Sequence, residues 1–431
     1  MSRSFKRLEN WLFYLFLFSI PISIRHIFGY EAFGFVEWTA VYVYATDILF
    51  AVLLGFCIFQ LKTKNYKLKT SKADWFLLAF VLVAGISIRN AIDVKTAWFA
   101  WLKLLEGVAL YFYVKDYALK RFDIANGFAA IAVAGLFQAI IAAIQFISQH
   151  SLGLKYFGES IVSPSLMGVA SFFVSGEKIV RAYGTLPHPN ILAAYLFVAI
   201  GCFYFIAVYH KREWWWHLIH AMLLWGFLLT FSRLIIALWV LNFLVRAYLI
   251  RFYPRFKIEF WDNPKIRERC LKIFGVTIAV VLYFVILYWP YVSNRINIAP
   301  SDEAVRLRIF YNQEVLKEGI KFSGVGIGNF VPWLRTQNLN LPSNLYQPVH
   351  NIYLLLYAEI GLIGVGLFVA FIISLLAGYY QRTKFRKLYH FSFCLIAVSL
   401  LIFGVFDHFL LTVQSGRLLF WLVLGLIAAA D

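Results

Sequence analysis

Acidic side chains are scarce in this chain, 22 against 40 lysines and arginines, and charged residues of either sign make up only 14% of its 431 residues. That is too little to clothe a soluble globular protein, whose charged share is about 25%. Cysteine is nearly absent as well. Cys57, Cys202, Cys270 and Cys394 stand far apart, with no zinc spacing and no pair in an external loop, so neither a disulfide framework nor a metal site is expected. Apolar runs are continuous rather than alternating, which disfavours a membrane β-barrel, because its strands need polar lumen positions. The basic segment MSRSFKRLEN leads into apolar sequence without a small-residue cleavage site, so it reads as the start of a retained first span. No repeat and no linker to a second soluble domain is visible, and residues 1–431 read as a single integral membrane domain.

What fills the chain instead is apolar: 62% of the residues are hydrophobic, 19% of all residues are aromatic, and the mean hydropathy is +0.73. Windows of about 17 to 25 apolar residues recur throughout, each long enough to cross roughly 30 Å of hydrocarbon as a helix. The expected fold is therefore an all-α polytopic membrane protein of about twelve transmembrane helices. The spans are 11–28, 41–61, 75–88, 98–114, 124–148, 190–209, 217–230, 233–250, 271–289, 351–378, 389–406 and 413–430. Alternate loops beginning with 1–10 hold about 23 lysines and arginines in about 69 residues, against about 11 in about 130 on the other side. Both termini are thus expected in the cytoplasm. The net charge of +18 invites a nucleic-acid partner, but it sits in short loops between spans, where membrane lipids with anionic head groups account for it better.

Two segments expected outside are long enough to have structure of their own, 149–189 and 290–350. The second is a large extracytoplasmic loop before the tenth span. In it Ser301, Asp302 and Glu303 read as the cap and acidic first turn of an amphipathic helix reaching about Lys321, with Val305, Ile309, Leu316 and Ile320 on one face.

Ionisable residues at membrane depth are functional candidates by default. Arg233 starts the eighth span at its outer end and is otherwise an interfacial anchor. Arg306 and Arg308 are about 200° apart around the loop helix, so one of the two at most points into a given site. Arg181 and His188, in RAYGTLPHPN, precede a span whose cap is expected at Asn190, and a rigid turn explains them equally well. His26, His150 and His408 read as structural polar residues. His350 has a stronger context, after a proline turn and before a helix capped by Asn351. Gly324, Gly326 and Gly328 lack the following GK[ST] of a phosphate-binding loop and read as a tight turn. Lys103 and Glu106 read as an ion pair, and Asp47 and Asp407 as partners for Arg25 or Arg417.

The succession RAYGTLPHPN at 181–190, FSR at 231–233, RLRIF at 306–310, GVGIGNF at 324–330 and H-N-x-Y-L-x-x-x-x-E-x-G at 350–361 resembles the O-antigen ligase and polymerase family of bacterial envelope glycosyltransferases. The resemblance covers most of the chain from about Phe137 onward. It implies an enzyme of the bacterial plasma (inner) membrane that moves a glycan from an undecaprenyl-pyrophosphate-linked donor to an acceptor hydroxyl, on lipid A core or another glycan, at the outer face. By the same resemblance, catalysis is inverting and uses neither metal nor cofactor. His350, Arg306 and Arg233 match the family's catalytic residues, with Arg181, His188, Asn190, Arg308 and Asn351 as substrate-binding candidates. Ligase and polymerase share these motifs, and a transporter or flippase for the lipid-linked sugar is the alternative of another class.

Overall fold

The computed structural model describes residues 3–29, 37–64, 70–210, 215–296, 303–317 and 322–429. Apart from two short antiparallel hairpins, Arg25–Gly29 with Val41–Tyr44 and Ser171–Val174 with Glu177–Val180, the described elements are helices. Among the described residues, eight helices are long and apolar enough to cross a membrane. They are Ala45–Lys62, Lys72–Asn90, Val94–Arg121, Ile124–Ser148, Pro189–Tyr209, Arg233–Phe252, Pro264–Leu287 and Ile352–Thr383. Three more expected spans are shorter apolar helices, Trp216–Leu229, Leu388–Phe403 and Gln414–Ala429, whereas the expected first span 11–28 is helical only to Ser19, in Arg3–Ser19, and its end turns into the strand Arg25–Gly29.

Local chemistry explains where several of these helices begin. Ser71 and Asp74 form a reciprocal capping box at the start of Lys72–Ser87. Asp93, Asp123, Asn263 and Asn351 each accept from the first free N–H groups of the helix that follows. The helix beginning at Val94 overruns its expected end at 114: it widens into a π turn at Tyr113–Ala118 and continues to Arg121. Lys115 and Asp116, charges that read as a span's end, are buried here. The Lys115 ammonium lies 2.5 Å from the Asp74 carboxylate, which also accepts from the Tyr111 hydroxyl at 2.9 Å, so the lysine enters the interior already paired.

The loop helix is Glu303–Leu316. Ser301, Asp302, Ile320 and Lys321 lie outside the described residues, and the expected cap with them. Its inward side is not the aliphatic one read from the sequence, for Ile309 and Leu316 are 51% and 73% exposed. Tyr311, Glu314 and Val315 are buried instead, with Leu307 and Phe310 packed beside them. Glu314 is tolerated inside because it pairs with Lys317 and accepts from the Asn338 amide at 3.2 Å.

Where the sequence suggests a single domain, contacts group the residues into two compact units. The first comprises Met1–Ile24, Arg121–Ile298 and Phe385–Ser399, the second Arg25–Lys120, Ala299–Lys384 and Leu400–Asp431. In the first, the alanine- and glycine-rich helix Ile124–Ser148 lets its neighbours come close. A Cβ on Gly226 would lie 2.6 Å from the Ala139 backbone, and one on Gly135 would lie 2.8 Å from both Ala199 and Leu223. The buried Glu9 is held by Arg121 at 2.6 Å.

In the second unit, the expected Lys103–Glu106 pair exists at 2.9 Å and belongs to a larger set: Lys103 also meets Asp47 at 2.5 Å, and the Gln414 amide donates to both Asp47 and Glu106. Arg25 pairs with Glu37 and not with either of the aspartates expected for it. The organising feature of this unit is a break. Helix Ile352–Thr383 is interrupted at Gly361, which has φ 82° and ψ −177°, a backbone region essentially confined to glycine. The segment 322–330 fills the break. Val325 N–H donates to the Ala358 carbonyl, Gly326 N–H to the Glu359 carbonyl and Leu362 N–H to the Phe322 carbonyl, at 2.9 to 3.1 Å. The Glu359 carboxylate accepts from the N–H groups of Gly328 at 2.8 Å and Phe330 at 3.3 Å. Gly324, Gly326 and Gly328 all have positive φ, and they form the tight turn expected of them.

A methyl group on Gly361 would meet the Phe322 carbonyl oxygen at 2.3 Å, whereas one on Gly366, in the same helix, meets nothing within 4 Å. Gly361→Ala is therefore expected to destabilise the protein by about 2 kcal/mol or more. Gly366→Ala should be neutral or stabilising by up to about 1 kcal/mol. Thermal unfolding of both variants in detergent checks this, and equal melting temperatures would refute the role assigned to the break.

Candidate active site

The candidate residues fall into two groups, one in each unit. Arg181, His188, Asn190 and Arg233 belong to the first unit, and Arg306, Arg308, His350 and Asn351 to the second.

In the first unit, RAYGTLPHPN is stapled by two glutamines of helix Ile124–Ser148. Gln145 accepts from the N–H of Gly184 at 2.8 Å and donates to the Gly184 carbonyl at 2.9 Å. Gln138 accepts from Thr185 N–H at 2.8 Å and donates to the Thr185 hydroxyl at 2.7 Å. This fixes the approach of helix Pro189–Tyr209, and the cap differs from the expected one. His188 is the capping residue, its Nδ1 accepting from Asn190 N–H at 3.1 Å, with Pro189 in the first helical position. Asn190 is thereby released for another task. Its Oδ1 accepts from the buried Arg181 guanidinium at 2.8 Å and from the Ser232 hydroxyl at 3.0 Å, while Arg181 Nε donates to the Thr230 carbonyl at 2.7 Å. Two separated motifs, 181–190 and 231–233, are thus tied together by one asparagine.

Arg233 is half-buried and opens helix Arg233–Phe252 just after Phe231, a non-glycine residue at φ 45°. Arg295, which the sequence did not single out, donates to the Phe231 carbonyl at 3.4 Å and lies 5.5 Å above the Phe172 ring.

In the second unit the centre is His350. Its ring is stacked on Tyr311, centroids 5.5 Å apart and planes 17° apart, and stands nearly perpendicular to His408 at 4.9 Å. Tyr311 is anchored through its hydroxyl to the Leu345 carbonyl at 2.6 Å, and burial pushes its pKa up to about 12, so it stays a neutral wall. Residue 350 is part-exposed, yet its Nδ1 is buried and makes no hydrogen bond among the described residues. Burial lowers the imidazole pKa from its ordinary value. Asp407 and the Pro348 carbonyl oppose that shift, and the positive charge of Arg308 adds to it.

Arg308 Nε donates to the Phe406 carbonyl at 3.1 Å, next to Asp407 and His408, whereas Arg306 is exposed on the loop helix. Asn351 caps the broken helix as expected, accepting from the N–H groups of Tyr353 at 2.9 Å and Leu354 at 3.1 Å, and Ile352 N–H donates to the Gly404 carbonyl at 2.7 Å. The amide of Asn351 is thus engaged in holding the backbone that carries His350.

His408 and Trp38 complete the cluster, with ring centroids 4.9 Å apart. Read alone, a histidine after a span is ordinary; the visible clue was Thr412 four residues on, the spacing of one helical turn. Chemically, the cluster offers a neutral imidazole beside a guanidinium, a pairing suited to accepting a proton near an anionic leaving group. Among the described residues no group of three or more histidines, cysteines or carboxylates is placed to hold a metal ion.

Removing the Asn190 amide by Asn190→Ala leaves the Arg181 and Ser232 donors without their acceptor. The expected cost is about 1–3 kcal/mol of stability, and Asn190→Asp, which keeps an acceptor oxygen, should recover most of it. Thermal unfolding of the two variants decides between this tie and a merely incidental contact. No protein-family model matches the sequence, and no curated protein does.

Proposed function

We propose that this chain is an integral membrane glycosyltransferase of the O-antigen ligase kind. It crosses the bacterial plasma membrane about twelve times, with both termini in the cytoplasm and the loop 290–350 outside. In this reading it moves a glycan from undecaprenyl pyrophosphate to an acceptor hydroxyl on lipid A core or another surface acceptor. The observation that carries the reading is the condition of His350: an imidazole part-open to solvent, held neutral by burial and by Arg308, whose Nδ1 makes no hydrogen bond. A base in that condition accepts a proton near neutral pH.

The reaction then runs as a single displacement. The acceptor oxygen attacks the anomeric carbon from the face opposite the lipid phosphate, and its proton passes to His350. The bond from the anomeric carbon to the phosphate oxygen breaks, and undecaprenyl pyrophosphate leaves with the electron pair, so the configuration inverts. Guanidinium groups bind phosphate oxygens in a bidentate way and stay charged throughout, which stabilises the leaving group. Arg308 takes that role by its placement near the imidazole, ahead of the exposed Arg306. Arg233 takes it on the resemblance alone.

The broken helix favours a second reading, transport of the lipid-linked sugar, because interrupted helices line many solute paths. What weighs against it is that the carbonyls of Ala358 and Glu359 and the N–H of Leu362 are already bonded to the 322–330 segment. The break binds its own loop.

The test is transfer from a lipid-pyrophosphate glycan by purified protein, followed by the mass of the product. His350→Ala is expected to lose at least ~10²-fold in kcat. Arg308→Ala should lose more than Arg306→Ala, and chelator should leave the rate unchanged. Full activity of His350→Ala, or an absolute need for added metal, would overturn the mechanism, and transport into vesicles without covalent transfer would favour the second reading.

A pH profile gives an independent check. Only the neutral ring accepts a proton, and its pKa lies below the ordinary 6.5, so the rate should hold through pH 6.5 and fall only as acidification passes that lowered value. An acid limb centred above pH 6.5 would contradict the assignment.

A further inference from the structure

His408 touches His350 edge to face, yet nothing so far gives it a task. Thr412 Oγ1 lies 2.7 Å from His408 Nδ1, a hydrogen bond that holds the ring whichever of the two atoms donates, and 3.1 Å from the carbonyl oxygen of His408. The backbone is fixed too, since His408 N–H donates to Asp407 Oδ1 at 2.9 Å, and the Trp38 ring stands perpendicular to the imidazole at 4.9 Å. His408 is a buried, immobilised ring of defined orientation.

His350 is contained by two such walls. Tyr311 lies parallel to it and His408 perpendicular to it. Tilting the His350 ring toward either neighbour presses on a held side chain, and Tyr311 is anchored through its own hydroxyl to the Leu345 carbonyl.

We propose that His408 is the positioning residue of His350, a wall locked by Thr412 that holds the imidazole in one orientation and keeps water from its buried edge. The role in catalysis rests on His350 being the proton acceptor of the proposed transfer; the structural part stands by itself. The charged and titratable groups that face His350 are Arg308 from the loop helix, Tyr311 beside it, and Asp407 and His408 from the segment after Phe403. None of them is altered by a change at His408 except His408 itself.

The experiment follows the imidazole directly. Protein labelled with 13C and 15N in histidine, in nanodiscs, reports the His350 titration by NMR, with the resonance assigned by its loss in His350→Gln. In His408→Ala, water reaches the buried edge and the His350 pKa should rise toward 6.5, by about half a unit or more. In His408→Phe, which keeps a flat ring, it should stay within about 0.2 unit of the parent. Transfer kinetics should follow the same pattern: His408→Ala loses about tenfold or more in kcat with donor KM within about twofold, its acid limb shifts to higher pH, and His408→Phe recovers most of the rate.

A fold defect would lower the amplitude of the pH profile without moving the limb. If His408→Ala does not fold, His408→Ser, which likewise opens the space to water, is read in its place. The proposal is overturned if the His350 titration is unmoved in the ring-less variant, or moves as far in His408→Phe. A protein that transfers no glycan but shows the NMR shift would refute the proposed function and leave the positioning role standing.

Discussion

The second unit depends on a helix that is not continuous. Stopping a helix at Gly361 exposes carbonyl and N–H groups in apolar surroundings, where each unsatisfied group costs about 1–3 kcal/mol. The 322–330 segment removes that cost by bonding to the groups on both sides of the break, and the Glu359 carboxylate fastens the turn by accepting two of its N–H groups. Ser87, Asn90 and Asp93 hold the far side of the same segment, through Ile327, Gly324 and Asn329. A stretch that would otherwise be a long loop is thereby nailed to two helices. Phe330, Trp333 and Leu334 follow directly and form, with Tyr311, Tyr346 and Val349, the core on which His350 rests.

That dependence gives the motif H-N-x-Y-L-x-x-x-x-E-x-G a physical reading position by position. His350 is the candidate base of the proposed transfer. Asn351 caps the helix that carries it, Glu359 grips the glycine turn, and Gly361 permits the break that brings turn and helix together. The other residues of the motif fix the backbone on which His350 sits. The first unit shows the same division. Gln138, Gln145, His188 and Asn190 are occupied in fixing backbone and in holding the buried Arg181, so these polar groups are supports before they are ligands. Polar side chains deep in a membrane protein are commonly read as functional. Here hydrogen-bond saturation separates the supports from His350, whose Nδ1 makes no bond.

The interior charges follow the same logic. Asp74 pairs with Lys115, Glu9 with Arg121, and Lys103 with both Asp47 and Glu106, all at close range. Ion pairs of this kind add little net stability when replaced by well-packed apolar residues, but they are costly to break singly. They register one helix against another, which a bundle of apolar helices needs, because uniform hydrophobic surfaces slide and rotate with little penalty.

Much of this protein could be read along the chain. Hydropathy and length located the apolar helices, eight of them among the described residues long enough to cross a membrane, the cap at Asn351 is visible at its start, and the spacing of Gly324, Gly326 and Gly328 announced a tight turn. These are relations between residues within one or two helical turns, and the backbone's own periodicity expresses them. The tertiary structure alone decided that Arg308 bonds to the Phe406 carbonyl while Arg306 is exposed, that Asn190 joins Arg181 to Ser232 while His188 does the capping, and that the inward face of the loop helix is the one carrying Tyr311 and Val315. It alone assembled Tyr311, His350 and His408, three rings from separate segments of the chain, and divided the chain into units each built from three separated stretches. No local pattern encodes such meetings, because they follow from which surfaces find complementary packing once the helices exist, and that is settled between elements and not within them.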